Sequence, residues 1–130
     1  MAVAKISTYL THKIFNLTLR NQAYTPPATV YLGLLTQAPT LLTDSYEEVA
    51  GAAYTRETVT FAAPAGRASS SSNVVTYPEA TEDWGTVSHW AVFDAATAGN
   101  LMYYGEFLVA REYVSGDVIS IPVGRITLSA

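Results

Sequence analysis

The chain has no cysteine, only seven lysines and arginines, and two histidines. It also has no apolar run close to the length that crosses a bilayer. Each shortage excludes a class of function. Without thiols there are no disulfides, no cysteine nucleophile and none of the usual structural zinc sites. The basic residues stand singly, whereas a nucleic-acid surface needs them clustered to displace counterions from phosphate. A net charge of −4 points the same way. A membrane helix needs about 18 consecutive apolar residues, so none is expected. The opening Met1-Ala2-Val3-Ala4-Lys5 lacks the apolar core of a signal peptide. Neither nucleic acid nor membrane is an expected partner. Charged residues are scarce at 14%, against about 25% in an ordinary soluble domain. With 49% hydrophobic residues, some nominal surface is expected to be covered by a symmetric oligomer or a larger assembly. The alternative is a monomer whose surface is made of Ser, Thr and Ala.

What is present reads as one domain: 130 residues are too few for two ordinary ones. From Val3 to Arg20 the residues Ile6, Tyr9, Leu10, Ile14 and Leu17 recur at spacings of three and four. That periodicity predicts an amphipathic helix, with Phe15 and Leu19 widening its stripe. Asn21 suits the left-handed position past a helix end, and Pro26-Pro27 prevents continuation. Thr29 to Thr36 predicts a strand between Pro27 and Pro39. Gln37 to Ala53 reads as a long loop, and loops of that length in a small domain are usually functional or mobile. Tyr54 to Phe61 alternates as a half-buried strand. Ala62 to Ser72 is read as a surface connection, Asn73 to Tyr77 as a short strand, and Glu79 to Asp83 as an acidic turn.

The richest segment is Trp84 to Gly105, which holds both tryptophans. It reads as a hairpin, with strands Thr86–Phe93 and Leu101–Leu108. Asp94 and Asn100 suit its loop ends, because their side chains bond nearby backbone, and Gly99 supplies a positive φ. Val118–Ile121 and Arg125–Leu128 complete the strands. The expected fold is mainly β: a small antiparallel sandwich or barrel of seven or eight strands with one N-terminal helix. The expected division is a helical arm over 1–22 and a β-sandwich domain over 23–130, together one compact unit.

No reaction centre emerges. His89 lies mid-strand, where a neighbouring hydroxyl or carbonyl satisfies it more simply than a catalytic partner set. His12 flanks the helix stripe, and two isolated histidines make a poor ligand set. Glu47-Glu48 and Glu82-Asp83 are adjacent pairs, and neighbours on a strand point to opposite faces. No calcium-loop pattern is present. The expectation is therefore a protein that is not an enzyme, with no catalytic residue, no cofactor and no metal. Nine tyrosines and two tryptophans offer stacking faces for sugars. Trp90, Tyr103 and Tyr104 form the best such set, but core or subunit contact is the favoured reading of them, because both strands are otherwise apolar.

The order of short motifs resembles a family of small virion proteins encoded by tailed bacteriophages, commonly labelled phage tail-fibre proteins. The resemblance runs through Thr25-Pro26-Pro27-Ala28-Thr29-Val30-Tyr31-Leu32-Gly33-Leu34, Tyr54-Thr55-Arg56, Trp84-Gly85-Thr86-Val87-Ser88-His89, Asp94-Ala95-Ala96-Thr97 and Gly99-Asn100-Leu101. It closes on Ser115-Gly116-Asp117 and Gly124-x-Ile126-Thr127-Leu128. The departure is Gln37 to Leu42, where an acidic turn is more usual. The resemblance implies a virion component assembled in the host cytoplasm. Related β-rich virion proteins act as capsid decoration or cement, and that is the leading expectation; a tail-fibre or baseplate component binding host glycans is the alternative. Expected partners are the major capsid protein or other virion proteins, with a homo-oligomer, a trimer among its forms. The residues expected to meet a partner are Tyr9, Leu10, Ile14, Phe15, Leu41 and Leu42. They serve equally well to close the chain's own core.

Overall fold

Residues 4–129 are described by the structure, a computed structural model. Alternation along three strands builds its centre. In β2 (Val30–Leu35), β6 (Gly85–Phe93) and β7 (Leu101–Tyr113), Leu32 pairs with Val92 and Leu34 with Trp90, while Val92 pairs with Tyr103. These residues share one face, and Gly33, Ala91, Phe93 and Tyr104 take the other. With β1 (Lys5–Ile6) and β3 (Glu57–Val59) they form an antiparallel sheet ordered β1-β7-β6-β2-β3. Two ribbons complete the fold: β4 (Ala68–Ser70) with β9 (Thr127–Ser129), and β5 (Val75–Thr76) with β8 (Ser120–Ile121).

The main core lies between the first sheet face and these ribbons. Leu32, Leu34, Trp90 and Val92 pack with Val75, Tyr77, Ile119, Ile121 and Ile126. The buried Tyr77 hydroxyl donates to Leu32 O at 2.7 Å, tying the layers together. A smaller cluster on the opposite face joins Leu35, Ala91, Phe93, Leu101 and Tyr104, with Tyr46 beside it. The fold is mainly β with one helix, as expected, and the sheets are open rather than closed into a barrel. Nine strands are formed among the described residues, one more than the upper expectation.

Helix α1 covers Thr8–Leu19, shorter than the periodicity suggests. Lys5 and Ile6 are drawn instead into pairing with Tyr104 and Tyr103. Val3, where the predicted helix begins, lies outside the described residues, as do the outer ends of the expected division, 1 and 130. Ser7 is the N-cap and its Oγ accepts from Leu10 N. A second cap arrives from the long loop: the two carboxylate oxygens of Asp44 accept from Thr8 N and Tyr9 N, each at 2.9 Å. Asp44→Ala is expected to cost about 1 kcal/mol, the usual loss when an N-terminal acceptor is removed. Asp44→Asn should recover part of it, and urea unfolding of the two variants checks the order. At the other end Asn21 has φ 54, the left-handed stop its identity suggests. Among the described residues no helix is long and apolar enough to cross a membrane.

Two local expectations need correction. Ala68–Ser70, read as part of a surface connection, is strand β4, because Thr127–Ser129 supplies a distant partner. The second hairpin strand continues to Tyr113 rather than ending at Leu108.

Candidate functional site

The long loop and the β6–β7 hairpin loop meet at Arg56. Its guanidinium is buried and forms a two-pronged ion pair with Glu48, with Nε to Oε2 and Nη2 to Oε1 both at 2.9 Å. Nη1 donates to the carbonyls of Ala95 and Ala98, at 2.9 and 2.8 Å. The cation lies 3.5 Å from the Phe93 ring centre. Tyr54 closes the group: its hydroxyl donates to Glu48 Oε2 and accepts from Leu34 N. Burial and the adjacent Glu48 push the Tyr54 phenol well above its usual value, so it stays a proton donor. Asp94 then closes the hairpin loop by accepting from Asn100 N and Nδ2 at 2.7 and 2.9 Å, with Gly99 at φ 70. The arrangement holds two loops rigidly and leaves the guanidinium fully engaged. It is a clamp.

The expected contact residues divide by burial. Leu10 is buried, so its side chain closes the chain's own core and is withdrawn from a partner set. Tyr9 and Ile14 are half-buried, while Phe15, Leu41 and Leu42 are exposed. Leu17 and Leu19 are exposed as well, so the distal half of α1 turns apolar side chains outward. Leu41 is held to the start of α1, since Thr8 Oγ1 donates to its carbonyl at 2.7 Å.

The aromatic set does not form one platform. Trp90 and Tyr104 are only 5% and 4% exposed, and Tyr103 is half-buried. Adjacent strand residues point oppositely, which sends Tyr103 and Tyr104 to different faces. Tyr104 belongs to the smaller core, and Tyr103 lines a cavity of about 600 Å³ with Ile6, Ile14 and Leu128. Trp90 instead reaches the wall of a separate cleft of about 610 Å³, with Phe107, Tyr113, Arg111 and Arg125 around it. The sequence reading missed both arginines of this cleft, because Arg111 lies on β7 and Arg125 in the turn before β9, and neither carries a local motif.

The acidic pairs tie loops. Glu48 turns inward to Arg56 while Glu47 is exposed. Glu82 accepts from Ala52 N, and Asp83 from Ser115 N. His12 is exposed on α1. His89 Nδ1 shares a hydrogen bond with Ser88 Oγ at 2.8 Å, and Nε2 lies 3.7 Å from Glu106. Burial lowers the His89 pKa below 6.5, and Glu106 only partly opposes it. The unfolded chain therefore binds the proton more readily, so this residue's contribution is intact above pH 6.5 and is lost as pH falls through that value. His89→Gln should flatten the acid side of the stability profile, and melting temperatures between pH 5 and pH 7 measure it.

Residues 5–129 match the family described as podophage GP4 fiber I protein gp80. The chain belongs to that family. The match spans the β1 pairing, the clamp, the hairpin and both ribbons. It makes the chain a fibre-type structural protein of a phage, a component of the virion, in agreement with the resemblance in its motifs. Among curated proteins, none matches this sequence.

Proposed function

We propose that this fibre-family chain is a non-catalytic joining piece of the virion, seated on the shell as a decoration or cement protein. The major capsid protein is its principal partner, and assembly takes place in the host cytoplasm. The observation that carries this reading is the set of outward apolar side chains on α1 and the long loop: Phe15, Leu17, Leu19, Leu41 and Leu42. They stand on a rigid base, since Asp44 and Thr8 bind the loop to the helix start and Arg56 fixes the loop's far end through Glu48. Apolar burial contributes about 25 cal/mol per Å², and many repeated copies multiply modest contacts. The test is to count and locate the chain in purified virions. Copies in shell-like numbers over the capsid are expected; a handful confined to the tail would sink the decoration reading.

A second reading, a fibre element holding host glycans, is supported by the cleft beside Trp90. Phe107 and Tyr113 offer stacking faces there, and Arg111 and Arg125 suit acidic sugars. Glycan-array binding lost on Arg125→Ala, with the fold retained, would favour it. Tyr104→Ala does not test it, because Tyr104 is buried.

A further inference from the structure

Strands β6 and β7 disagree in length at one point. Their register jumps from Val87↔Arg111 to His89↔Glu106, so residues 107–110 all face the single residue Ser88. Surplus residues of this kind bend a strand away from its partner. Leu108 and Val109, in the middle of the surplus, are 81% and 74% exposed. This bulge walls one side of the cleft of about 610 Å³ beside Trp90. Turn 122–125 contributes to the other side. It is pinned where Arg125 N donates to Pro122 O at 3.2 Å and Gly124 N donates to Ser71 O at 2.8 Å. The volume falls within the range of small-molecule sites, about 300–1,000 Å³.

The cleft divides by chemistry. Trp90, Ile119 and Ile121 reach it from the main core, and Phe107 adds a half-buried ring. The Trp90 indole N–H donates to no group among the described residues. That of Trp84 donates to Ala52 O at 3.0 Å. Arg111 and Arg125 also line the cleft, both exposed, and neither has an ion-pair partner among the described residues. Glu106 is the one carboxylate among the lining residues, and it lies 3.7 Å from His89 rather than at either arginine. An arginine fork matches the oxygens of a carboxylate or phosphate with two parallel bonds. The apolar wall suits a chain or ring that asks for no hydrogen bonds.

We propose that this cleft binds a soluble amphiphilic anion, with an apolar chain or ring against Trp90 and Ile121 and a carboxylate or phosphate head taken by Arg111 and Arg125. A sugar ring fits that division less well, because it brings hydroxyls that an aliphatic wall cannot satisfy. The inference rests on neither reading of the protein's place in the virion.

Decanoate titrated into the isotope-labelled full chain tests it, followed by the indole N–H signals of the two tryptophans. Saturable movement of the Trp90 signal is expected, with the Trp84 signal still. Arg111→Gln and Arg125→Gln stand at exposed positions and should keep the fold, and each should weaken decanoate about tenfold. Decyltrimethylammonium has a chain of the same length with the opposite charge, and should leave the Trp90 signal unmoved. So should trigalacturonate, which carries carboxylates on a polar body. A Trp90 signal that decanoate does not move would overturn the proposal. So would equal affinity for decanoate and the ammonium, arginine variants that bind decanoate as well as the wild type does, or both indole signals moving together. A response to trigalacturonate in place of decanoate would overturn it in favour of the glycan reading, and silence toward both probes would remove both.

Discussion

Arg56→Ala is expected to remove about 3–5 kcal/mol of folding stability, because it leaves a carboxylate with no cation beside it. Glu48 has little solvent to turn to, with its side chain only 18% exposed. The same change frees the carbonyls of Ala95 and Ala98 and strips the cation from the Phe93 ring. The long loop and the hairpin loop lose their common anchor together. The discriminating comparison is the double variant Arg56→Met with Glu48→Gln. It also loses the carbonyl bonds, but it buries no lone charge, so it should be clearly more stable than Arg56→Ala. Urea unfolding of the two proteins measures the gap. Equal losses would show that the guanidinium acts on the carbonyls alone and that Glu48 does not need it.

The consequence reaches the proposed contact surface. Leu41 and Leu42 stand on the loop whose start is held by α1 and whose end is held by Glu48. Loosening the clamp adds an ordering cost whenever those side chains meet a partner. Virion incorporation of Arg56→Ala should therefore fall further than that of a variant equally destabilised in the main core. A purely thermodynamic shortage of folded protein would instead lower both alike.

The parts of the fold that the sequence made legible are those whose cause is local. Asn21 stops the helix by its own backbone preference, and Asp94, Gly99 and Asn100 close the hairpin within seven residues. The alternation of β2 and β6 needs only neighbouring positions to be read. What stayed hidden depends on residues far away in the chain. Lys5–Ile6 continues a helical pattern, and becomes a strand because β7 offers an edge. Ala68–Ser70 has poor strand residues, and pairs because Thr127–Ser129 lies alongside. The bulge at Ser88 is invisible in periodicity, since it is a mismatch between two strands and not a feature of either one. Arg56 was legible only as one residue in an alternating strand. Its nearest signal was an acidic pair eight positions back, and its remaining partners come from a loop about forty residues on. The candidate contact residues suffered from the same limit: helical spacing places Leu10, Ile14 and Leu17 on one stripe, but the docking of the helix decides which of them water still reaches.

Trp90→Ala is expected to cost about 3–5 kcal/mol, as truncation of a buried aromatic leaves a large cavity. The indole lies across Gly105 on the neighbouring strand, close enough that a Cβ built there would sit 2.7 Å from Trp90 Cε2. Gly105 is thus the space the ring occupies, and Gly105→Ala should itself cost about 1–3 kcal/mol by forcing the ring off its seat. The two residues share one contact, so their losses should not add: in Trp90→Ala, the further change Gly105→Ala should be nearly free, or even stabilising through the volume it restores. Thermal unfolding of the two single variants and the double variant closes this cycle. A Trp90→Ala protein that melts like the wild type, while losing binding to a glycan, would instead place the indole in a ligand site rather than the core. The geometry predicts the opposite order. Stability goes first, and any loss at the adjacent cleft follows from the collapse of the wall that Trp90 supports.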